Sequence, residues 1–133
     1  NEKSNLQKLA NSLNIEKYIF WVYNKNIYDL FKEHSIFILA SRFEGTSNAL
    51  LEAISSGKPI IVSDEAANSI KLLKNNHNCI IYPFNDVDSL THSMEKLTND
   101  SNLNLEISQN LISDYLNYYD KFNFDLHWKK LID

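Results

Sequence analysis

Two kinds of hydrophobic pattern alternate along the chain. Short, nearly continuous apolar runs are typical of strands that are buried on both faces of a sheet. They predict strands at 18–23, 35–41, 59–64 and 79–84. Apolar residues at intervals of three and four predict helices at 4–13, 26–34, 48–56, 69–76 and 85–100, followed by a tail that is helical to its end. Strands that alternate with helices favour an α/β fold, in which helices cover both faces of a parallel sheet.

The helix predicted at 48–56 has clear signals at both ends. Gly57 can adopt the left-handed conformation that commonly ends a helix, and Pro59 begins the next apolar strand. Residues 42–48 form the turn between the preceding strand and this helix. In open parallel sheets, ligands bind at the carboxyl ends of the strands. This turn is therefore the first candidate for a binding site.

The chemistry of the turn suits a phosphate. A helix start has unsatisfied backbone N–H groups and a partial positive charge, which together attract anions. The chain has only two glycines, and one of them, Gly45, lets the backbone approach a ligand closely here. Thr46 and Ser47 can cap the helix or donate hydroxyl hydrogen bonds.

Two glutamates flank the turn. Glu52 is predicted about one turn into the helix, with its side chain leaning back toward the helix start. A carboxylate there can accept two hydrogen bonds from a vicinal diol such as a ribose, and Glu44 could contact hydroxyls beyond the phosphates. The arrangement suggests a nucleotide-linked sugar. Strand–turn–helix units with similar caps and acidic residues are also common for structural reasons, so spacing alone leaves both interpretations open.

Composition narrows the class of protein. Hydrophobic residues make up 44% of the 133 residues, enough for a packed core, and residues 1–133 are expected to form one domain or part of one. The net charge of −4 gives no general attraction to nucleic acid or anionic membrane. No apolar run approaches the roughly 20 residues that span a bilayer. The lone cysteine, Cys79, excludes an internal disulfide and is expected to be inert core. A cytoplasmic location is expected.

The segment "SRFEGTSNALLEAISSGKPIIVSD" closely resembles the signature of retaining glycosyltransferases of family 4, which have two Rossmann-like domains (the GT-B fold, glycosyl transferases group 1). The hallmark of that family is a glutamate, seven residues and a second glutamate, which Glu44 and Glu52 match. "YNKNIYDLFKEHSIFILASRFEG" is similar to the preceding segment of members that make bacterial surface polysaccharides. Ser47 stands where the family frequently has proline.

The resemblance implies a role for each residue of the signature. Glu44 would contact the donor sugar and is the expected catalytic residue, whereas Glu52 would hold the ribose hydroxyls. The backbone of residues 45–47 would face the sugar and the diphosphate. The expected substrate-binding residues are Glu44, Gly45, Thr46, Ser47, Asn48 and Glu52.

The resemblance also implies a fold and a reaction. The chain would be the donor-binding, C-terminal part of a GT-B enzyme, a Rossmann-like parallel sheet flanked by helices that lacks its first strands. The enzyme would transfer a hexose from a nucleotide diphosphate sugar to a glycan or lipid-linked acceptor, with no metal, cofactor or nucleic acid. Its N-terminal domain would be a further partner, and the full-length enzyme could lie at the inner face of the membrane. Alone, the chain is expected to be inactive and to self-associate.

Other interpretations compete with this one. The chain could be a nucleotide-binding or scaffold module without catalysis. Glu44 and Glu52 could be the acid/base pair of a glycosidase, which clamps a sugar between two carboxylates, usually with aromatic platforms, but the apolar-strand pattern does not support this interpretation. Asp86 and Asp88 match a metal-binding Asp-x-Asp pattern, but they open an amphipathic helix, where acids serve as caps. Asp64, at the end of a strand, could be a phosphoacceptor.

Overall fold

The structure is a computed structural model that describes residues 2–23, 29–31, 36–42, 47–68 and 70–121. Its elements in chain order are helix α1 (Glu2–Ser12), a 3₁₀ helix (Glu16–Tyr18), strand β1 (Phe37–Leu39), helix α2 (Asn48–Ser56), strand β2 (Ile60–Ser63), helix α3 (Asp64–Ala67), strand β3 (Ile80–Tyr82), helix α4 (Val87–Asn99) and helix α5 (Ser101–Lys121). This alternation confirms the α/β class.

The three strands form one parallel sheet in the order β1-β2-β3. Phe37 of β1 lies opposite Ile60 of β2, and Ile61 of β2 lies opposite Ile80 of β3. Parallel neighbours need a crossover connection, and helix α2 supplies the one between β1 and β2. The carboxyl ends of the three strands therefore meet at one edge of the sheet.

Strand β2 lies at the centre of the core, and all four of its residues are buried. Successive side chains of a strand point to opposite faces. On one face, Ile60 and Val62 pack against helices α2 and α3 and against Leu111 of α5. On the other face, Ile61 packs with a cluster completed by Ile80, Tyr82, Leu97 and Ile107. Helices thus cover both faces of the sheet, as predicted.

Helix α2 begins and ends where the sequence predicts. Gly57 follows it with φ 66°, in the left-handed region. A β-carbon at Gly57 would lie 2.5 Å from the Ile112 side chain on α5, and the Ser108 hydroxyl donates a hydrogen bond to the Gly57 carbonyl. Glycine is required here both by the backbone conformation and by the close approach of α5.

Residues 18–23 do not form the predicted buried strand. Tyr18 ends the 3₁₀ helix, and 19–23 pair with no strand in the described part of the chain. Phe20 is 83% exposed. A strand that is apolar on both faces needs neighbouring strands, and no described strand pairs with this run.

Helix α1 confirms the prediction at 4–13 almost to the residue, but much of its apolar face is uncovered. Ala10 is buried, whereas Leu6, Leu9 and Leu13 are each about half exposed. Together with 18–23, these side chains form an apolar N-terminal surface, defined here as the exposed large apolar residues of 6–23.

The helix predicted at 69–76 is wrong, because none of the described residues 70–76 is helical and turns occupy 71–72 and 76–78. The buried side chain of Asn78 accepts a hydrogen bond from the Lys74 backbone N–H and donates one to the Leu72 carbonyl. Asn75 Oδ1 accepts from the backbone N–H of Ile81. Such side-chain bonds satisfy backbone groups in place of a helix ladder.

The remaining differences concern boundaries. Strands β1 and β3 are shorter than predicted, and β1 is only partly buried. Helix α4 lies within the predicted range 85–100. Residues 29–31 are helical, while most of the predicted helix 26–34 lies outside the described residues. The tail is helical as far as Lys121, and residues 122–133 lie outside the described part.

Candidate functional site

The described residues at the two ends of the predicted turn, 42 and 47–48, lie on the carboxyl side of the sheet. Strand β1 leads to residues 40–42, and helix α2 begins beside that edge at Asn48. Strand β2 runs directly from Ser63 into α3, and β3 leads through residues 83–86 into α4. The structure therefore places the start of α2 where parallel α/β sheets bind their ligands.

Ser47 is the residue on which helix α2 starts. Its backbone is extended (φ −70°, ψ 113°), and its hydroxyl oxygen accepts a hydrogen bond from the backbone N–H of Leu50 at 3.4 Å. Its carbonyl accepts one from the N–H of Leu51 at 3.0 Å. Ser47 therefore caps the helix, which was one of the two roles predicted for it. The cap fixes the first N–H groups of α2 at the sheet edge.

Asn48 and Glu52 lie one turn apart on helix α2. Asn48 is exposed, and Glu52 is half-buried. Leu50, Ala53 and Ile54 face the core, so Glu52 lies at the boundary between core and solvent. Residues at i and i+4 share a face, and helical side chains lean toward the N-terminus. The geometry of the helix thus directs the Glu52 carboxylate toward its start.

The structure brings together only part of the predicted set. Ser47, Asn48 and Glu52 share the start of α2. Glu44, Gly45 and Thr46 lie outside the described residues, so their roles stay predictions.

Hydrogen bonds tie the carboxyl ends of the strands together. Ser63 Oγ donates to the Ser41 carbonyl at 2.6 Å and accepts from the Ala66 N–H at 3.3 Å. Asp64 Oδ1 accepts from the Phe84 N–H at 3.0 Å. The end of β2 is thereby joined to the chain that follows β1 and to the chain that follows β3.

Sequence reasoning missed these ties, although a signal was present. Serine directly after an apolar strand is a helix N-cap signal, and Ser63 is indeed the N-cap of α3. The adjacent Arg42 Nε lies 3.9 Å from Glu65 Oε2. Both of these side chains are well exposed, so water screens this ion pair.

A small cavity lies beside the ties, between the ends of β1 and β3. It has a volume of about 160 Å³ and a mainly apolar lining that includes Ala40, Tyr82 and Leu90. Burial, together with the charge of Asp64, raises the pKa of Tyr82, so its phenol stays protonated. Ligand sites for whole small molecules are usually about 300–1,000 Å³. This cavity alone is therefore too small for a nucleotide sugar.

Larger grooves occur elsewhere on the described surface. One of about 380 Å³ runs between β3 and α4, and one of about 390 Å³ lies beside Ile36, between α4 and α5. No residue of α2 lines either groove. By size alone, these grooves are the better candidates for a ligand site. The site at α2 has a helix start beside strand ends, however, and a helix start is the feature that binds phosphates.

Asp86 caps helix α4. Its carboxylate accepts hydrogen bonds from the Ser89 N–H at 3.0 Å and from the Ser89 hydroxyl at 2.6 Å, and these bonds lower the pKa of Asp86. Asp88 is exposed in the first turn. Within the described ranges, no three His, Cys, Asp or Glu side chains lie close enough to hold a metal ion. The capping interpretation of Asp86 is confirmed.

Cys79 is fully buried. Burial raises the pKa of its thiol to about 12. The thiol is therefore neutral and unreactive at physiological pH, which confirms the prediction of an inert core residue.

The fold and the helix start together define a parallel α/β domain of the kind that binds ligands at its strand ends. Its sequence assigns it further. Residues 1–114 match the model of the family Glycosyl transferases group 1, and the chain belongs to that family.

Two curated relatives illustrate the family. The chain is 33% identical over 94 residues to the Escherichia coli UDP-Gal:alpha-D-GlcNAc-diphosphoundecaprenol alpha-1,3-galactosyltransferase, covering 70% of this chain and 24% of that protein. It is 30% identical over 82 residues to the UDP-N-acetylglucosamine–peptide N-acetylglucosaminyltransferase GtfA subunit of Streptococcus agalactiae, covering 62% and 16%. The chain thus spans about a quarter of the first relative and less of the second.

Solved structures share the fold. The C-terminal domain of the group 1 glycosyl transferase LpcC of Francisella tularensis matches with TM-score 0.76 and 21% identity, over 88% of this chain and 62% of that one. Anabaena HepE, solved in complex with UDP, matches with TM-score 0.76 and 16% identity, over 83% and 30%. These neighbours confirm the predicted GT-B, C-terminal-domain architecture.

None of the described helices has the length and apolar character needed to cross a membrane.

Proposed function

We propose that this chain is the donor-binding part of a retaining glycosyltransferase of the family-4 type. The enzyme transfers a sugar from a nucleotide diphosphate sugar to a glycan or lipid-linked acceptor in surface polysaccharide synthesis. The observation that carries the proposal is the start of helix α2, capped by Ser47 at the carboxyl edge of the sheet, with Glu52 one turn inside. Membership of the glycosyltransferase family gives that geometry its chemical meaning.

The start of α2 suits the diphosphate. Its first N–H groups and the positive end of its dipole favour negative charge. Charge builds up on the diphosphate as it leaves the sugar, and preorganised donors aimed at that charge accelerate such reactions. The helix start therefore supplies part of the stabilisation that a metal ion would otherwise give.

Glu52 and Glu44 bind the other two parts of the donor, the ribose and the sugar. Glu52 accepts hydrogen bonds from the ribose hydroxyls, because its half-buried position one turn into α2 lets the carboxylate reach a ligand at the helix start. Glu44 contacts the sugar and is the proposed catalytic residue. The backbone of 45–47 and the side chain of Asn48 complete the site.

The relatives support the nature of donor and acceptor. The Escherichia coli relative is named for a UDP-linked galactose donor and a diphosphoundecaprenol acceptor, and the Anabaena structure holds UDP. We propose a uridine diphosphate sugar and a lipid-linked acceptor here as well. Such an acceptor would bring the enzyme to the inner surface of the membrane.

The first test is Glu52→Ala in the protein as its gene encodes it. Losing hydrogen bonds to a carboxylate costs about 1.5–3 kcal/mol, so affinity for free UDP should fall by about 10- to 150-fold. Calorimetric titration with UDP measures this. Glu95→Ala, which removes an exposed carboxylate from α4, is the matched control and should bind UDP normally. Unchanged UDP affinity in Glu52→Ala would remove Glu52 from the ribose role.

Glu44→Gln tests the division of labour. Because Glu44 is assigned to the sugar, turnover should fall while UDP affinity changes little. An equal loss of UDP affinity in both variants would contradict the assignment. A protein that binds UDP-sugars but neither transfers nor hydrolyses them would instead be the non-catalytic nucleotide-binding module.

A further inference from the structure

The groove between β3 and α4, called the β3 groove below, has the features of a ligand site that the proposed function does not use. Its volume is about 380 Å³, within the range that is usual for small-molecule sites. Ile81 and Pro83 contribute apolar surface, and α4 contributes polar side chains. None of the residues 47–56 lines it. A ligand here would therefore be bound by other residues than those at the start of α2.

Three side chains of different chemistry follow one face of α4. Asp88, His92 and Lys96 are spaced by four residues, so they share that face, and all three are exposed and line the β3 groove. At 1.5 Å per residue, Asp88 and Lys96 lie about 12 Å apart along the helix axis. Within the described part of the chain, the side chains of Asp88 and His92 have no hydrogen-bond or ion-pair partner. Both are therefore available to a ligand.

Two amides line the groove from the turn before β3, and the fold already orients them. Asn75 Oδ1 accepts a hydrogen bond from the Ile81 N–H at 2.8 Å, and Asn76 Oδ1 accepts one from Lys96 Nζ at 3.3 Å. An amide nitrogen carries two protons that can be donated. With both oxygens engaged, the two nitrogens are left as preorganised donors beside the groove.

We infer from these groups alone, and not from the proposed function, that the β3 groove binds a neutral saccharide of two or more rings. Each sugar hydroxyl both donates and accepts, so one ligand can bond to a carboxylate, an ammonium and the amides. The C–H face of a ring can rest on apolar surface such as Pro83, which is exposed. The charges of Asp88 and Lys96 balance, whereas a polyphosphate would be repelled by Asp88.

A peptide that adds to the sheet as a further strand is the other ligand that a groove beside an edge strand accepts. The backbone of β3 disfavours it. The Ile81 N–H is already bonded to Asn75, and the Cys79 carbonyl accepts from the Asn76 N–H at 2.9 Å. Pro83 has no N–H to donate. The groups that would pair with a peptide strand are therefore occupied or missing, whereas the side chains that suit a saccharide are available.

The test titrates the whole gene product with three neutral disaccharides, lactose, maltose and chitobiose, and with inorganic pyrophosphate as the anionic probe. Saturation-transfer NMR detects binding at millimolar concentrations, and hydrogen–deuterium exchange locates it. We expect at least one disaccharide to bind and to slow exchange in peptides that cover 75–83 and 88–96. Pyrophosphate should leave both segments unchanged. Binding by none of the disaccharides, or protection of the groove by pyrophosphate, would overturn the inference.

Variants of α4 identify the residues that bind. Asp88→Ala and Lys96→Ala each remove a charged partner, so each should raise the Kd of the bound disaccharide about tenfold or more. Glu95→Ala is the matched control, because Glu95 is exposed on the same helix and does not line the groove. Thermal unfolding shows which variants remain folded, and two independent variants keep the test decisive if one does not. An unchanged Kd in a folded Asp88→Ala or Lys96→Ala, or an equal rise in Glu95→Ala, would contradict the site.

The same proteins separate this inference from the proposed function. The Kd for UDP should be unchanged in all three variants, because the nucleotide is assigned to the start of α2. An unmodified protein that binds a disaccharide in the β3 groove but does not bind UDP would contradict the proposed function and support the saccharide site. Binding of UDP without any disaccharide would have the opposite meaning.

Discussion

The two outer edges of the sheet, formed by β1 and β3, differ in the groups that lie beside them. At the β3 edge, Asn75 Oδ1 accepts a hydrogen bond from the Ile81 N–H at 2.8 Å, and the Asn76 N–H donates to the Cys79 carbonyl at 2.9 Å. At the β1 edge, Ile38 is 37% exposed, and no described strand other than β2 pairs with β1. One edge is closed by the chain's own polar groups, and the other presents apolar side chains.

The two edges differ in whether polar groups protect them against pairing with a further strand. Proteins protect exposed sheet edges with polar groups that prevent further pairing, and the β3 edge has such groups. The apolar N-terminal surface exposes large side chains such as Phe20, and exposed apolar patches mark sites of association. The proposed donor site belongs to the β1 side, because the ends of 40–42 and the start of α2 lie there.

The largest effect on stability should come from Asn78→Ala, which removes side-chain hydrogen bonds beside the β3 edge. Asn78 is fully buried and bonded to Leu72, Lys74 and Asp114. Its loss leaves buried backbone groups unpaired, at about 1–3 kcal/mol for each group. We expect the free energy of unfolding in urea to fall by about 3 kcal/mol.

Asn102→Ala is the control for Asn78→Ala. Asn102 is exposed near the start of α5, and surface substitutions usually change stability by less than about 0.5 kcal/mol. Equal stability losses in the two variants would show that the turn around Asn78 is not what holds β3 in place.

Phe20→Ser tests the apolar N-terminal surface, and we expect a smaller effect than that of Asn78→Ala. A polypeptide of residues 1–133 should self-associate through the apolar N-terminal surface. Burying one large aromatic side chain contributes about 1.5–3 kcal/mol, so Phe20→Ser should weaken association by about tenfold or more in sedimentation equilibrium. Met94→Ser, on the exposed face of α4, should leave it unchanged. A monomeric unmodified polypeptide would contradict the expectation.

Periodicity predicted the central part of the fold well. Strand β2 and helix α2 follow the sequence closely, because local signals and burial agree there: Ser47 caps, Gly57 ends the helix and every residue of β2 is buried. The run 18–23 is as apolar as β2. Whether it forms a strand depends on neighbouring strands, which the local sequence cannot specify. The segment 69–76 has helical spacing, yet the Asn78 side chain satisfies its backbone differently.

The candidate site was predictable only in part. A capped helix after a strand can be inferred from residue order, and Ser47 confirms it. The bond from Ser63 to Ser41 joins residues 22 positions apart. Nothing in the spacing of these two residues indicates contact, because their meeting depends on how β1 and β2 align.

The proposed nucleotide site lies at the start of α2, on the β1 side of the sheet. Hydrogen–deuterium exchange of the whole gene product, with and without UDP, tests this most directly. We predict slower exchange of the backbone amides at 47–52 when UDP is present, and no change at Asn75, Ile81 or Lys96 beside the β3 groove. Protection confined to the β3 groove, with 47–52 unaffected, would contradict the account.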